Sequence, residues 1–179
     1  MSRSSVIEVD GWQTRDRQTE DGAVESEQRA ALGDLVVEFS AEGAERLGNA
    51  YWREVERFTG RLVRARQRQG SLELCVLGRG PALLRFGAPL IEVTGTLVSC
   101  RYPIEGGLLV QRPAGEILFE QTAGPVSVLR SAIRGFFPRL AARQGRPDWT
   151  GALYNRVQSR IHVAVSRRYF SRLIAEAGR

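Results

Sequence analysis

Between residues 61 and 137 a turn signal interrupts the chain at the 8–12-residue spacing of an antiparallel meander. GRGP at 78–81 and EGG at 105–107 separate short runs rich in β-branched and other apolar residues. The spacing predicts strands over 62–66, 71–77, 82–86, 90–102, 108–112, 116–121 and 125–137. Gly95 marks a bend, and residues 113–115 turn a hairpin. After residue 148 the pattern changes. Residues 149–177 hold no proline, and Val157, Ile161, Ala164, Phe170, Leu173, Ile174 and Ala177 keep a helical period. A sheet with one apolar face and a long helix must each bury that face against a partner. The simplest solution is an antiparallel sheet curling around the terminal helix.

Ahead of the meander, DLVVEF at 34–39 predicts a strand, and Ser40 is placed to cap a helix over 41–57. Ala44, Leu47, Tyr51, Val55 and Phe58 repeat at three and four residues, and Gly60 ends the run. The fold class is therefore α+β. Six to seven strands form a curved sheet around a long C-terminal helix, with one helix after the first strand.

Residues 1–32 read differently. Four arginines against seven acids, with few apolar side chains, predict a flexible acidic arm ahead of a single domain over 33–179. Within the arm, residues 5–9 and Trp12 could add a short strand or a local anchor. The start lacks an apolar core of the signal-peptide kind, and no window approaches 18 uninterrupted apolar residues, so the expected location is cytoplasmic.

All 26 basic residues are arginine, and they are unevenly spread. Residues 1–124 carry 15 Arg and 18 acids. Residues 125–179 carry 11 Arg against Asp148 and Glu176 alone. Such a layout speaks to partners: nucleic acid, an anionic membrane face, an acidic protein or the acidic arm itself. On a helix, Arg156, Arg160 and Arg167 share a sector of about 40° and form one basic stripe, whereas Arg168 and Arg172 lie elsewhere.

Several chemistries are excluded. With no lysine there is no Walker A loop, and Gly78-Arg-Gly80 leads into a strand rather than a helix. One histidine and two distant cysteines, Cys75 and Cys100, do not make a structural zinc site, and no cofactor is implied. No GxSxG and no carboxylate pair with a shared cleft point to catalysis, so no catalytic residue is assigned and enzymatic activity stays open. If 150–174 is one helix, Tyr154, Gln158, His162, Val165 and Tyr169 lie on one face. Ile161, Val163 and Val165 alternate with His162, Ala164 and Ser166 at strand period, which a bend near 163–167 reconciles with helix.

The element order resembles the START-like or SRPBCC helix-grip superfamily across roughly 34–177. The resemblance rests on DLVVEF, on AYWREVERF and on the terminal GALYNRVQSRIHVAVSRRYFSRLIAEAG. The first helix is a single run here, where that superfamily often has two short ones. The resemblance implies an apolar cavity between sheet and C-terminal helix, with Tyr154, Gln158, His162 and Tyr169 as polar contacts for a small apolar ligand. It also permits an enzyme of polyketide-cyclase or hydrolase type that would depend on His162. A ligand site of this kind should be a closed pocket of several hundred cubic ångströms. The rival expectation is an anion-binding module built on Arg156, Arg160 and Arg167.

Overall fold

Helix α1, Ala41–Phe58, begins where Ser40 accepts a hydrogen bond from the Gly43 N–H at 3.0 Å. The glycine three residues after the cap has a steric cause. A Cβ at Gly43 would run into the backbone carbonyl of Glu38, so no acid can stand there to complete a capping box. The helix closes at Thr59, followed by Gly60 at φ +59°. This computed structural model describes residues 3–9, 11–139 and 148–178, with side chains described over 11–139 and 161–178.

Among the described residues, ten strands precede or follow α1: β1 Arg3–Val9, β2 Trp12–Gln18, β3 Val24–Leu32, β4 Val63–Arg68, β5 Ser71–Val76, β6 Ala82–Phe86, β7 Leu90–Val93, β8 Leu97–Gly106, β9 Glu116–Thr122 and β10 Ser127–Phe136. They join one antiparallel sheet in the order β1-β2-β3-β10-β9-β8-β6-β5-β4, with β7 paired to β8. Helix α2, Asp148–Ala177, packs on α1 and β3, while α1 lies against β4, β7, β8 and β9. The α+β class with a large antiparallel sheet and a long C-terminal helix is as expected.

The sheet is larger than expected because residues 12–32, read as part of a flexible arm, are strands β2 and β3, and β1 extends them. Strand β3 pairs with β10 from Ser127↔Leu32 to Phe136↔Val24 and is interior to the sheet. Its buried residues alternate, Ser26, Gln28, Ala30 and Leu32, at the period of a half-buried strand. Two of those four are polar and one is small, so the alternation carries little hydrophobic contrast. Trp12 does anchor, stacking on Phe170 of α2 with ring centroids 5.1 Å apart.

Three other segments differ from the sequence reading. Residues 34–39 are not a strand. Their backbone is held by the buried side chain of Gln121, which accepts from the N–H groups of Val36 and Val37 at 2.7 and 3.1 Å and donates to the Val37 carbonyl at 2.7 Å. A side chain thus supplies the hydrogen bonds that a neighbouring strand would have made, and α1 follows the third strand. The run 90–102 is two strands, β7 and β8, in a hairpin that turns at 94–96. Residues 108–112 contribute only the isolated bridge of Val110 to Pro138.

Helix α2 runs unbroken through 161–168. Its buried residues among those described, His162, Val165, Ser166, Tyr169, Phe170 and Leu173, step by three and four, one stripe along the helix. The alternation of Ile161, Val163 and Val165 has no structural counterpart, since Ile161 is 45% exposed and Val165 is buried.

Candidate functional site

Tyr51 is central to the core between the two helices and the sheet. Its ring meets Phe119 of β9 at 4.5 Å, Trp52 at 5.3 Å and Tyr169 at 5.5 Å between centroids. Its hydroxyl lies 2.8 Å from Nδ1 of His162. The two residues reach each other because Tyr51 sits on the buried stripe of α1 and His162 on that of α2, and the helices pack together.

The other ring nitrogen of His162, Nε2, is buried and has no hydrogen-bond partner among the described residues. Burial holds the imidazole neutral, lowering its pKa from 6.5 to about 4, and the charge of Asp16 opposes only part of that shift. Burial likewise pushes the Tyr51 hydroxyl above its usual range, with the Ser166 hydroxyl opposing. Ser166 in turn lies 3.4 Å from Ser131 Oγ on β10. Next along the sheet, Gln28 donates to Ser26 Oγ at 3.0 Å, and Ser26 donates to Asp16 at 2.6 Å. The helix-facing side of β2, β3 and β10 is therefore polar where it meets this part of α2.

Beside this polar sector lies an apolar pocket of about 150 Å³. Strands β5, β6, β8, β9 and β10 contribute Leu74, Phe86, Ile104, Ile117 and Phe136, among others. Helix α1 contributes Tyr51, Trp52, Val55 and Phe58, and α2 contributes Ile161, His162 and Val165. None of the described lining residues is charged. The pocket lies between sheet and helices; it is partly open to solvent rather than closed, and smaller than the several hundred cubic ångströms expected of a ligand site.

Of the four polar residues expected to line such a cavity, His162 does so. Tyr169 is buried on the same helix face, its hydroxyl unpartnered, but packs on Tyr51, Phe119 and Phe170 and is not among the lining residues. The side chains of Tyr154 and Gln158 lie outside the described residues. Sequence reasoning did not single out Tyr51 as a site residue. It appeared only as one apolar position of a helix, and nothing in the local pattern paired it with a residue 111 positions away.

The basic end of the chain is met by acids from elsewhere. Arg130 of β10 bonds Glu27 of β3 and lies 3.4 Å from Glu120 of β9. Arg134 lies 3.7 Å from Glu116. Arg172 of α2 lies 3.1 Å from the buried carboxylate of Glu54 on α1, which Arg57 also approaches at 3.5 Å. Arg168 stands over the Phe58 ring at 5.2 Å. One of these acids, Glu27, belongs to the segment read as an acidic arm. Of the expected basic stripe, Arg167 is exposed on α2, and the side chains of Arg156 and Arg160 lie outside the described residues.

Among the described residues there is no group of three potential metal ligands, and both cysteines are buried free thiols. Burial raises the Cys100 pKa to about 11, which leaves it a poor nucleophile. No helix among them is long and apolar enough to cross a membrane. Compared with models of protein families, with curated proteins and with solved structures, the chain matches none.

Proposed function

We propose that this protein binds or carries a small apolar molecule in the pocket between the sheet and the two helices. The observation that carries the reading is a pocket whose described lining is apolar and uncharged, with two buried and unpartnered polar atoms on it, His162 Nε2 and Trp52 Nε1. Buried polar groups in folded proteins nearly always have partners, so an orphan on a pocket wall is a place where a ligand group would be satisfied. The resemblance of the element order to the helix-grip superfamily supports the same location. A volume of about 150 Å³ suits a molecule of single-ring size, since engineered apolar cavities of roughly 150 Å³ take up benzene.

Carriage rather than turnover is the reading because the described lining offers one neutral imidazole, a phenol, an indole and the Thr59 hydroxyl, and no carboxylate, thiol or second base. The test is titration with toluene, followed through the methyl resonances of the lining residues. Saturable shifts confined to lining methyls such as those of Val55, Leu74, Leu84, Ile104, Ile117 and Val165 are the expected result. Shifts that are absent, or scattered over the surface, would remove the reading.

A further inference from the structure

We infer that the natural occupant of this pocket is a neutral single-ring or short-chain molecule bearing one hydroxyl, which hydrogen-bonds His162 Nε2. The inference rests on the pocket being a ligand site and adds the chemical class of the ligand.

Three features carry it. First, the described lining is uncharged. A carboxylate, phosphate or ammonium there would be desolvated without a counter-charge, which costs far more than apolar contact returns. Second, the ring lining the pocket has its two nitrogens in unequal situations. Nδ1 is engaged at 2.8 Å by the Tyr51 hydroxyl, whereas Nε2 is buried and unpartnered. The His162 wall therefore asks one hydrogen-bonding group of the ligand, while the Trp52 indole N–H, also buried and unpartnered on the lining, can donate to the same group's oxygen or to a second acceptor. Third, the Tyr51 hydroxyl can serve its nitrogen either way. If it donates to Nδ1, Nε2 carries the proton and needs an acceptor. If it accepts from Nδ1–H, Nε2 is the acceptor and needs a donor. A hydroxyl is the simple neutral group that meets both demands, whereas an ether or ketone meets one.

The polar chain behind the site supports this division of labour. Ser131, Ser166 and Tyr51 are all buried, and they continue the network from His162 toward the sheet. The protein side of the imidazole is thus committed, and Nε2 is the position left for an incoming group.

The experiment compares phenol with toluene on the full chain, by calorimetry and by imidazole nitrogen NMR. His162 is the chain's only histidine, so its signals need no assignment. Phenol is expected to shift the Nε2 resonance and toluene to leave it in place. The ratio of phenol to toluene affinity should fall tenfold or more in His162→Leu, the loss of one buried hydrogen bond. If both compounds bind but the ratio is the same in wild type and variant, or phenol leaves Nε2 unshifted, the hydroxyl inference is overturned and the apolar pocket stands. If neither compound binds the wild type, the pocket reading itself is lost. The nitrogen measurement uses unmodified protein and so decides the matter even should His162→Leu fail to fold.

Discussion

The Tyr51 hydroxyl and His162 Nδ1 lie 2.8 Å apart across the interface of the two helices, and both residues are buried. The contact joins the functional and the structural accounts of this protein. It fixes the imidazole ring, leaves Nε2 as the unmatched atom and places a titratable group in a position where it cannot easily be charged.

The first prediction is a stability loss in mild acid. The folded-state pKa of His162 is depressed from 6.5 to about 4, so the folded protein resists protonation that the unfolded chain accepts. This contribution is fully present above pH 6.5. It is lost progressively as pH falls toward 4 and changes no further below that. The loss across the window is on the order of 3 kcal/mol. Urea midpoints measured from pH 4 to pH 7 should fall with acid in the wild type and stay nearly flat between pH 5 and 7 in His162→Leu. The imidazole carbon-bound protons should show no titration between pH 5.5 and 8. A midpoint near 6.5 would mean that the ring is solvated.

Tyr51→Phe keeps the aromatic contacts with Phe119, Trp52 and Tyr169 but removes the partner of Nδ1. Both ring nitrogens of His162 would then be unpaired, and the expected cost is about 1–3 kcal/mol in unfolding free energy. His162→Leu instead removes a polar group that is already half unsatisfied and replaces it with apolar volume, while the Tyr51 hydroxyl keeps Ser166 as a partner. It should change stability at pH 7 by less than about 1 kcal/mol. Chemical denaturation of the two variants side by side checks the order. A histidine serving only the core would give the reverse ranking.

The legibility of the fold followed hydrophobic contrast. Strands β5 and β6 and helix α1 were readable because apolar residues recur at strand or helix period between clear turns. Strands β2 and β3 were not, because Thr14, Ser26 and Gln28 are buried polar residues, with Gln28 donating to Ser26 and Ser26 to Asp16. A polar inner face looks, in sequence, like a solvated tail. Residues 34–39 failed in the opposite sense. Their composition is that of a strand, but Gln121 supplies their hydrogen bonds. For the site, His162 could be singled out as the lone histidine on a largely apolar segment, whereas Tyr51 could not, since its role depends on a contact between distant helices.

Residues 1–32 provide a direct contrast between the two readings. As a flexible arm, their amides would exchange with solvent within seconds and their deletion would leave the melting temperature unchanged. As strands, the β3 amides should show protection comparable with β8 and β9, since β3 is bonded on both sides by β2 and β10. Deleting 1–32 would also strip Trp12 from Phe170 and expose the edge of β10 and the face of α2. The truncated chain should be insoluble or lack a cooperative transition. Hydrogen exchange on the intact protein is the cleaner measurement, because it does not require the truncated chain to be purified.

Gln121 is the last residue for which structure and sequence imply different outcomes. It is fully buried on β9 and makes three hydrogen bonds to the backbone of Val36 and Val37. Gln121→Leu fills the same space and leaves two N–H groups and one carbonyl unpaired, for an expected loss of about 3 kcal/mol or more. Gln121→Glu separates the donor from the acceptors. Its carboxylate can accept from both N–H groups but cannot donate to the Val37 carbonyl, and burial favours the protonated form, which can. The folded-state pKa of that glutamate is expected to exceed its unfolded value. The stability of this variant is therefore greatest at low pH and declines as pH rises through the folded-state pKa, opposite in sign to the effect of His162. Thermal unfolding of Gln121→Glu at pH 4.5 and pH 8 should show the higher melting temperature at the lower pH relative to wild type. If the two variants were equally stable and indifferent to pH, then 34–39 would be held by apolar packing of Val36 and Val37 alone.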